Sequence, residues 1–171
     1  MRGRNGYWDA LVITASNEEQ AAGYQCAIER RRALDLLGDF SEVLVVPDPQ
    51  GRRIGSGGST ILALAEVGSR FLLHGAAAHG HKAEERLRSV LAGRRVLVIH
   101  AGGDSRRVPA YATCGKAFIP VPGLQDSAEP LALLDRQLQV YQAFRLRATE
   151  AGRWWWRRGT CSCWWIRASW T

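Results

Sequence analysis

Short apolar runs alternate with longer amphipathic stretches along most of the chain, and this alternation predicts the elements of the fold. Three runs rich in β-branched residues predict buried strands: "YWDALVITAS", "EVLVVP" and "RRVLVIHA". The third run is almost continuously apolar, which is typical of a parallel sheet covered on both faces. The pattern therefore predicts a sheet with helices above and below it.

Amphipathic stretches between and after these runs predict the helices. The first helix is capped by Ser16 or Asn17 and ends before Gly38. The second, "STILALAEVGSRFLLHG", is capped by Ser59 or Thr60 and follows a glycine-rich loop. Further helices are expected in "AEERLRSVLAG" and "LLDRQLQVY". Alternating strands and helices predict an α/β fold with an incomplete doubly wound, mostly parallel sheet.

Composition limits the class of protein without identifying it. The 171 residues are enough for one domain, and 46% hydrophobic with 23% charged residues is ordinary for a globular protein. No apolar run is long enough to span a membrane, and the N-terminus does not resemble a signal peptide. Four cysteines are too few for a disulfide framework, so a cytoplasmic location is expected.

The net charge of +7 comes largely from the C-terminal end. Residues 151–171 carry four arginines and no acidic residue, and without them the net charge is +3. A mildly basic body does not indicate a nucleic-acid-binding protein. Neither nucleic acid nor a membrane is therefore an expected partner.

The glycine-rich stretch "GSGGST" opens the second helix and is a candidate anion site. Gly57 and Gly58 allow backbone N–H groups to approach a phosphate, and Ser59 adds a hydroxyl at a helix N-terminus. The spacing differs from the G-x-G-x-x-G dinucleotide fingerprint. The alternative interpretation is a flexible loop followed by a helix cap.

A second glycine-rich stretch, "HAGGDSRRVPAYATCGKAFIPV", follows the third strand directly. Ligands of such sheets bind beyond the carboxyl ends of the strands. Gly102 and Gly103 permit close backbone approach to a phosphate, and Ser105 supplies a hydroxyl. Arg106 or Arg107 can stabilise charge on a leaving pyrophosphate. The pattern predicts a turn that binds a nucleoside triphosphate.

Lys116 returns a second cation to the same edge. The stretch is not a Walker A motif, because Ala117 follows the lysine and no hydroxyl is present for Mg²⁺. The alternative is a plain turn with solvated arginines and a surface lysine. The position at the end of a strand favours the phosphate site.

The same stretch resembles the signature of sugar-1-phosphate nucleotidyltransferases, G-x-G-[TS]-R-x-x-P followed by a lysine. Gly102, Ser105, Arg106 and Pro109 fall on its glycine, hydroxyl, arginine and proline, and Lys116 on its lysine. The resemblance implies a nucleotidyltransferase (Rossmann-like) fold. It also implies that Arg106 and Lys116 act on the reacting phosphates.

Four stretches together resemble the fucose-1-phosphate guanylyltransferase domain: "WDALVITASNEEQAAGYQ", "VLVVPDPQGRRIGSGGSTILAL", the stretch from His100 and "LLDRQL". The resemblance covers about residues 7–143 and implies that residues 1–150 are the N-terminal part of such a domain. It implies formation of GDP-fucose and pyrophosphate from GTP and fucose 1-phosphate. It further implies an L-fucokinase, fused or separate, in the full-length protein.

Asp104 departs from the nucleotidyltransferase pattern, since it replaces the second glycine. The resemblance implies a Mg²⁺ ion that bridges phosphate oxygens, and Asp104 is one candidate ligand. Asp104 can instead orient Arg106 or cap a turn.

Other chemistry-bearing residues are expected to have structural or solvent-exposed roles. For His74, His79 and His81 a solvated loop is favoured over a metal site. Cys114 is expected to be a small packing residue. Asp135 and Arg136 are expected to form a local ion pair or a solvated helix face.

The tail, residues 151–171, has an unusual composition. Six of the seven tryptophans lie in its last eighteen residues. Tryptophan has a single codon, TGG, and a run of it read from the third base gives valine. In the shifted frame the tail can encode an apolar strand that carries an aspartate, where nucleotidyltransferases of this type hold a metal. We therefore expect that the tail is frameshifted and outside the fold, and that this chain alone forms no GDP-sugar.

The sequence is also compatible with two other functional classes. A non-catalytic nucleotide-binding α/β module would keep the phosphate loops and lack turnover. A nucleic-acid or membrane-surface protein would depend on the Arg/Trp tail and would lose binding when residues 151–171 are removed.

Overall fold

A computed structural model describes residues 8–74, 83–102, 115–122, 131–143 and 163–167. In these residues one four-stranded sheet forms the centre of the fold. The strands are β1 (Ala10–Ala15), β2 (Glu42–Pro47), β3 (Arg95–His100) and β4 (Cys163–Arg167). Their order is β2-β1-β3-β4. β1 pairs in parallel with β2 and with β3, while β4 runs antiparallel to β3. The three predicted strands and their parallel arrangement are confirmed.

In the part of the chain that the structure describes, four helices accompany the sheet: α1 (Glu18–Ala33), α2 (Gly55–His74), α3 (Ala83–Leu91) and α4 (Leu133–Ala143). The described residues also include short 3₁₀ turns at Pro49–Gly51 and Lys116–Phe118. All four helical stretches that the sequence indicated are helices. Within the described residues, no helix is both long and apolar enough to cross a bilayer.

Successive side chains of the strands point to opposite faces, so the sheet has two separate apolar cores. Leu11, Ile13, Leu97 and Ile99 pack on the face that carries α1 and α4. The opposite face packs against α2 through a second set of small and β-branched residues: Ala10, Val12, Val96, Val98, Ala63 and Val67. Helices therefore cover both faces, as the hydrophobic pattern predicted. The finer assignment to the nucleotidyltransferase type stays a prediction.

The N-terminus of α1 is where the sequence placed it. Asn17 is the N-cap, and its Oδ1 accepts a hydrogen bond of 2.8 Å from the backbone N–H of Gln20. The C-terminus differs from the prediction, because the helix ends at Ala33 and not near Gly38. Asp35 adopts a left-handed φ of 56°, which stops the helix, and the chain turns so that Leu37 becomes buried.

The start of α2 also differs from the prediction. The helix begins at Gly55, so "GSGGST" is its first turns and neither Ser59 nor Thr60 is the cap. Both hydroxyls instead lie near carbonyls four residues earlier: Thr60 donates to Ser56 at 2.7 Å, and the Ser59 hydroxyl oxygen lies 3.0 Å from the Gly55 carbonyl oxygen. Packing of α2 on the sheet stabilises helix geometry that the glycines would not favour alone.

Part of the tail lies in the fold, which corrects the expectation that residues 151–171 stay outside it. β4 pairs with β3 in a register that joins Ile99 to Cys163 and Arg95 to Arg167. The edge of β3 would otherwise present unpaired N–H and C=O groups, and a β-prone segment satisfies them. The proposed frameshift, and the boundary at residue 150, stay predictions.

Asp135 has a different partner from the one that the sequence suggested. It is buried and forms a bidentate ion pair with Arg31 of α1. Nε of Arg31 donates to Oδ1 at 2.8 Å, and Nη2 donates to Oδ2 at 3.2 Å. Asp135 also accepts a 2.7 Å hydrogen bond from the backbone N–H of Ala132. The expectation of a local pair with Arg136 or a solvated face is wrong, because tertiary packing turns Asp135 toward α1.

Replacement of Asp135 by asparagine tests the importance of this pair. The Arg31 charge would stay buried without a counter-charge, so we expect the free energy of unfolding to fall by about 3 kcal/mol. The matched control is Arg136→Gln at the exposed neighbouring position, with an expected change below about 0.5 kcal/mol. Urea denaturation of the three proteins measures the difference, and equal stabilities of the two variants would contradict the assignment.

Candidate functional site

The carboxyl ends of β1, β2 and β3 meet at one edge of the sheet, because the three strands are parallel and in register. Thr14 of β1 lies between Val46 of β2 and His100 of β3. The first turn of α2 and the segment Ala101–Gly102 both adjoin this edge. The structure thus brings the described parts of the two predicted glycine-rich segments to the same end of the sheet.

His100 bridges β1 and α2 across this edge. Its Nδ1 lies 3.2 Å from the hydroxyl of Thr14, and its Nε2 lies 3.1 Å from the hydroxyl of Thr60. Because the Thr60 hydroxyl donates to Ser56, it accepts from Nε2–H. Nδ1 then accepts from the Thr14 hydroxyl, and this pattern assigns a neutral ring with its proton on Nε2.

The electrostatic surroundings of His100 agree with a neutral ring. Burial lowers the pKa of His100 below its usual value of 6.5, and the nearby negative charge of Asp48 opposes that shift without cancelling it. A neutral imidazole that both donates and accepts can hold two hydroxyls at once. It therefore fixes the position of the α2 N-terminus relative to β1 and β3.

Ser59, a predicted nucleotide-binding residue, faces the interior. Its hydroxyl lies 2.6 Å from Oδ1 of Asp48, the buried residue that follows β2. The backbone N–H of Asp48 in turn donates to the carbonyl of Ala15 at 2.8 Å. In this structure Ser59 ties α2 to the ends of β1 and β2, and its hydroxyl has partners within the protein.

Gly57 and Gly58 lie in the first turn of α2 and differ in their surroundings. A Cβ built on Gly57 would meet nothing within 4 Å, so its backbone is open to a ligand. A Cβ on Gly58 would lie 2.9 Å from Cβ of Ile54, so this glycine is required by the entry into the helix. A shared anion cleft with Gly102 remains a prediction.

Gly102 lies where the chain leaves β3, and its lack of a side chain has a structural reason. A Cβ there would stand 3.1 Å from the backbone nitrogen of Ser16 and 3.2 Å from the carbonyl carbon of Ala15. The exits of β1 and β3 therefore pass each other at close range. This contact accounts for a glycine even without a ligand, and it keeps the backbone of Gly102 at the edge.

Lys116 is exposed, whereas its neighbours are anchored. Gly115 precedes it with a φ of 68°, and the carbonyl of Gly115 accepts a 3.2 Å hydrogen bond from Phe118. Ala117 is fully buried, and the Phe118 ring packs at 4.9 Å from that of Tyr24. The lysine thus projects from a short turn that the core holds on its other side.

The remaining predicted site residues, Gly103, Asp104, Ser105 and Arg106, lie outside the described residues. Among the described residues, no group of three His, Cys, Asp or Glu side chains could hold a metal ion. Asp48 is a carboxylate at the correct edge, but its Oδ1 already accepts a hydrogen bond from Ser59. The described part of the chain does not by itself fit a magnesium site.

Sequence reasoning missed His100, Thr14, Thr60, Asp48 and Tyr24 as parts of this edge. For three of them a signal was available, since Thr14, Asp48 and His100 stand at the ends of the three predicted strands. Polar residues at the carboxyl ends of parallel strands are expected near ligands. No comparable sequence signal identifies Thr60 or Tyr24, because only the packing of their helices brings them to this edge.

Comparison with known protein families gives one matching family model. Residues 88–157 match the model of the fucose pyrophosphorylase domain. The match includes β3, the glycine-rich stretch that follows it, Lys116 and α4. No solved structure matches the chain.

Curated relatives extend the similarity over most of the chain. It is 36% identical over 155 residues to a bifunctional fucokinase/GDP-fucose pyrophosphorylase of Arabidopsis thaliana, covering 85% of this chain and 14% of that protein. It is 30% identical over 143 residues to a fucose-1-phosphate guanylyltransferase of Mus musculus, covering 81% and 20%. An L-fucokinase/L-fucose-1-P guanylyltransferase of Bacteroides fragilis is 36% identical over 98 residues, covering 56% and 9%. The chain spans a fifth or less of these relatives.

A pH titration of stability tests the state of His100. Its pKa is lowered in the folded protein, so the unfolded chain binds the proton more readily and folding stability falls as the pH drops through and below 6.5. We expect this loss in urea denaturation at pH 7.5, 6.5 and 5.5. His100→Gln should show a flatter dependence over the same range. Parallel curves for the two proteins would contradict a buried neutral imidazole.

Proposed function

Because residues 88–157 match the model of the fucose pyrophosphorylase domain and relatives with this activity in their names are 30–36% identical to the chain, we propose that it is part of an enzyme that transfers a guanylyl group from GTP to fucose 1-phosphate. The products are GDP-fucose and pyrophosphate. The observation that carries the proposal is the meeting of the α2 N-terminus, Gly102 and the exits of three parallel strands at one sheet edge. This is where ligands of open parallel sheets bind.

The proposed step is a direct displacement at phosphorus. A phosphate oxygen of the sugar 1-phosphate attacks the α-phosphorus of GTP and forms a new P–O bond. The bond from the α-phosphorus to the oxygen shared with the β-phosphate breaks, and its electrons leave with pyrophosphate. Such a step needs the reactants to be aligned and the charge of the leaving group to be neutralised.

The residues divide these tasks in the proposal. Gly102, Gly103 and Ser105 cradle phosphate oxygens, and Arg106 stabilises the departing pyrophosphate. Lys116 contacts the reacting phosphates from the turn at Lys116–Phe118, whose exposed lysine supports that role. The α2 N-terminus at Gly57 adds backbone N–H groups and a partial positive charge.

Three further parts of the proposal rest on resemblance and composition. Magnesium, with Asp104 as a ligand, would neutralise phosphate charge when bound. An L-fucokinase, fused or separate, would provide fucose 1-phosphate; the names of two relatives combine a fucokinase with a pyrophosphorylase or guanylyltransferase. We also propose a cytoplasmic location, because four cysteines are too few and too unevenly spaced for a disulfide framework.

Isothermal titration calorimetry with GTP and ATP, each with and without Mg²⁺, tests the nucleotide assignment. We expect this chain to bind GTP weakly and more tightly than ATP, and to release no measurable pyrophosphate when fucose 1-phosphate is added. Equal binding of both nucleotides, or none of either, would overturn the guanylyl assignment. Rapid pyrophosphate release would instead contradict the expected inactivity of this chain.

Two adjacent arginines provide a matched test of the signature register. Arg106→Ala should weaken GTP binding about tenfold, because a charged contact to phosphate is lost. Arg107→Ala should change the affinity by less than about twofold, since adjacent residues of an extended segment point in different directions. The comparison is made by calorimetry at equal salt concentration. A dominant effect of Arg107 would show that the register is displaced by one residue.

A further inference from the structure

Tyr24 holds the chain where it leaves β3. The residue lies in α1 and is 3% exposed. Its hydroxyl donates a 3.0 Å hydrogen bond to the carbonyl of Ala101, the residue between β3 and Gly102. The phenol is thus attached directly to the backbone that enters the predicted phosphate turn.

The same side chain also meets the segment that carries Lys116. A Cβ built on Gly115 would overlap the hydroxyl and the ring edge of Tyr24, so the tip of the phenol lies directly against the Gly115 backbone. Its ring lies 4.9 Å from that of Phe118 at an interplanar angle of 44°. Gly115, directly before Lys116, and Phe118, two residues after it, are therefore both in contact with Tyr24.

Arg31 stabilises the position of the Phe118 ring by a second contact. The guanidinium of Arg31, which lies on the same buried face of α1 as Tyr24, is 5.1 Å from the centre of the Phe118 ring. Arg31 is itself held by Asp135 of α4. Phe118 is therefore packed between Tyr24 and Arg31. A movement of Tyr24 away from Gly115 would disrupt this packing.

The geometry points to Tyr24 as a positioning residue that sets the separation between Gly102 and Lys116. Its hydroxyl holds Ala101, directly before Gly102, and the tip of its ring lies against Gly115, directly before Lys116, so one rigid side chain relates the exit of β3 to the cation. The inference rests on the proposed function, since it assigns Tyr24 a task in the binding of a triphosphate. Tyr24 itself is buried and has no contact with ligand in this assignment.

Tyr24→Phe is the direct test, because it removes the hydroxyl and keeps the ring. We expect GTP and inorganic pyrophosphate to bind about fivefold more weakly to this variant in calorimetry. The matched control is Ile28→Val, one turn further along the same buried face of α1. It also lowers stability modestly but touches neither end of the site, so its affinity for both ligands should equal that of the parent chain.

A double-mutant cycle with Lys116→Ala separates positioning from a general structural role. Lys116 is exposed, so its removal should leave the fold unchanged. If Tyr24 acts partly through Lys116, the effect of Tyr24→Phe should fall to about twofold once the lysine is gone. A purely structural role would give the same fivefold loss in both backgrounds.

The outcomes distinguish the two hypotheses. No binding of GTP or pyrophosphate by the parent chain would overturn the proposed function and this inference with it. Binding by the parent that is unchanged in Tyr24→Phe, equally weakened in Ile28→Val, or equally weakened with and without Lys116 would overturn the role of Tyr24 alone. Selective weakening that depends on Lys116 would support it.

Discussion

The burial of β1 between two parallel neighbours is the constraint on which the rest of the structure depends. All six of its residues are at most 3% exposed. Both of its edges are paired and both of its faces are packed, so a shift of register would expose apolar side chains and break two hydrogen-bond ladders. This fixed register makes β1, β2 and β3 end together, and it creates the edge at which the described parts of the glycine-rich segments meet.

Successive strand residues face opposite sides of the sheet, so the described part of each glycine-rich segment is anchored by contacts on a different face. On the α2 face, Thr14 and His100 stand side by side and hold Thr60, which anchors the first turn of α2. On the α1 face, Ala101 lies in the core beneath Tyr24, which anchors the exit of β3. The candidate site is thus held from both sides of the sheet by buried polar contacts.

Helix α1 has a larger role than a covering helix. Its buried residues, Ala21, Tyr24, Ile28 and Arg31, follow helical spacing, yet two of the four are polar. Tyr24 reaches residue 101, and Arg31 reaches residue 135, so the helix joins segments that are distant in the chain. Buried groups of this kind are stabilising only while every partner is present, which makes them specific ties between elements.

The sequence by itself determined the three parallel strands, the existence of all four described helices, a cap of α1 at Ser16 or Asn17 and the stretch in which the family resemblance lies. These features follow from local causes: apolar periodicity, β-branched composition, capping chemistry and the spacing of glycine, arginine and lysine. Only the tertiary structure decided that α2 begins at Gly55, that Asp135 pairs with Arg31, that residues 163–167 join the sheet, and that Tyr24 and His100 hold the two sides of the site. Each of these depends on a contact between residues far apart in the chain, whose energy no local pattern contains.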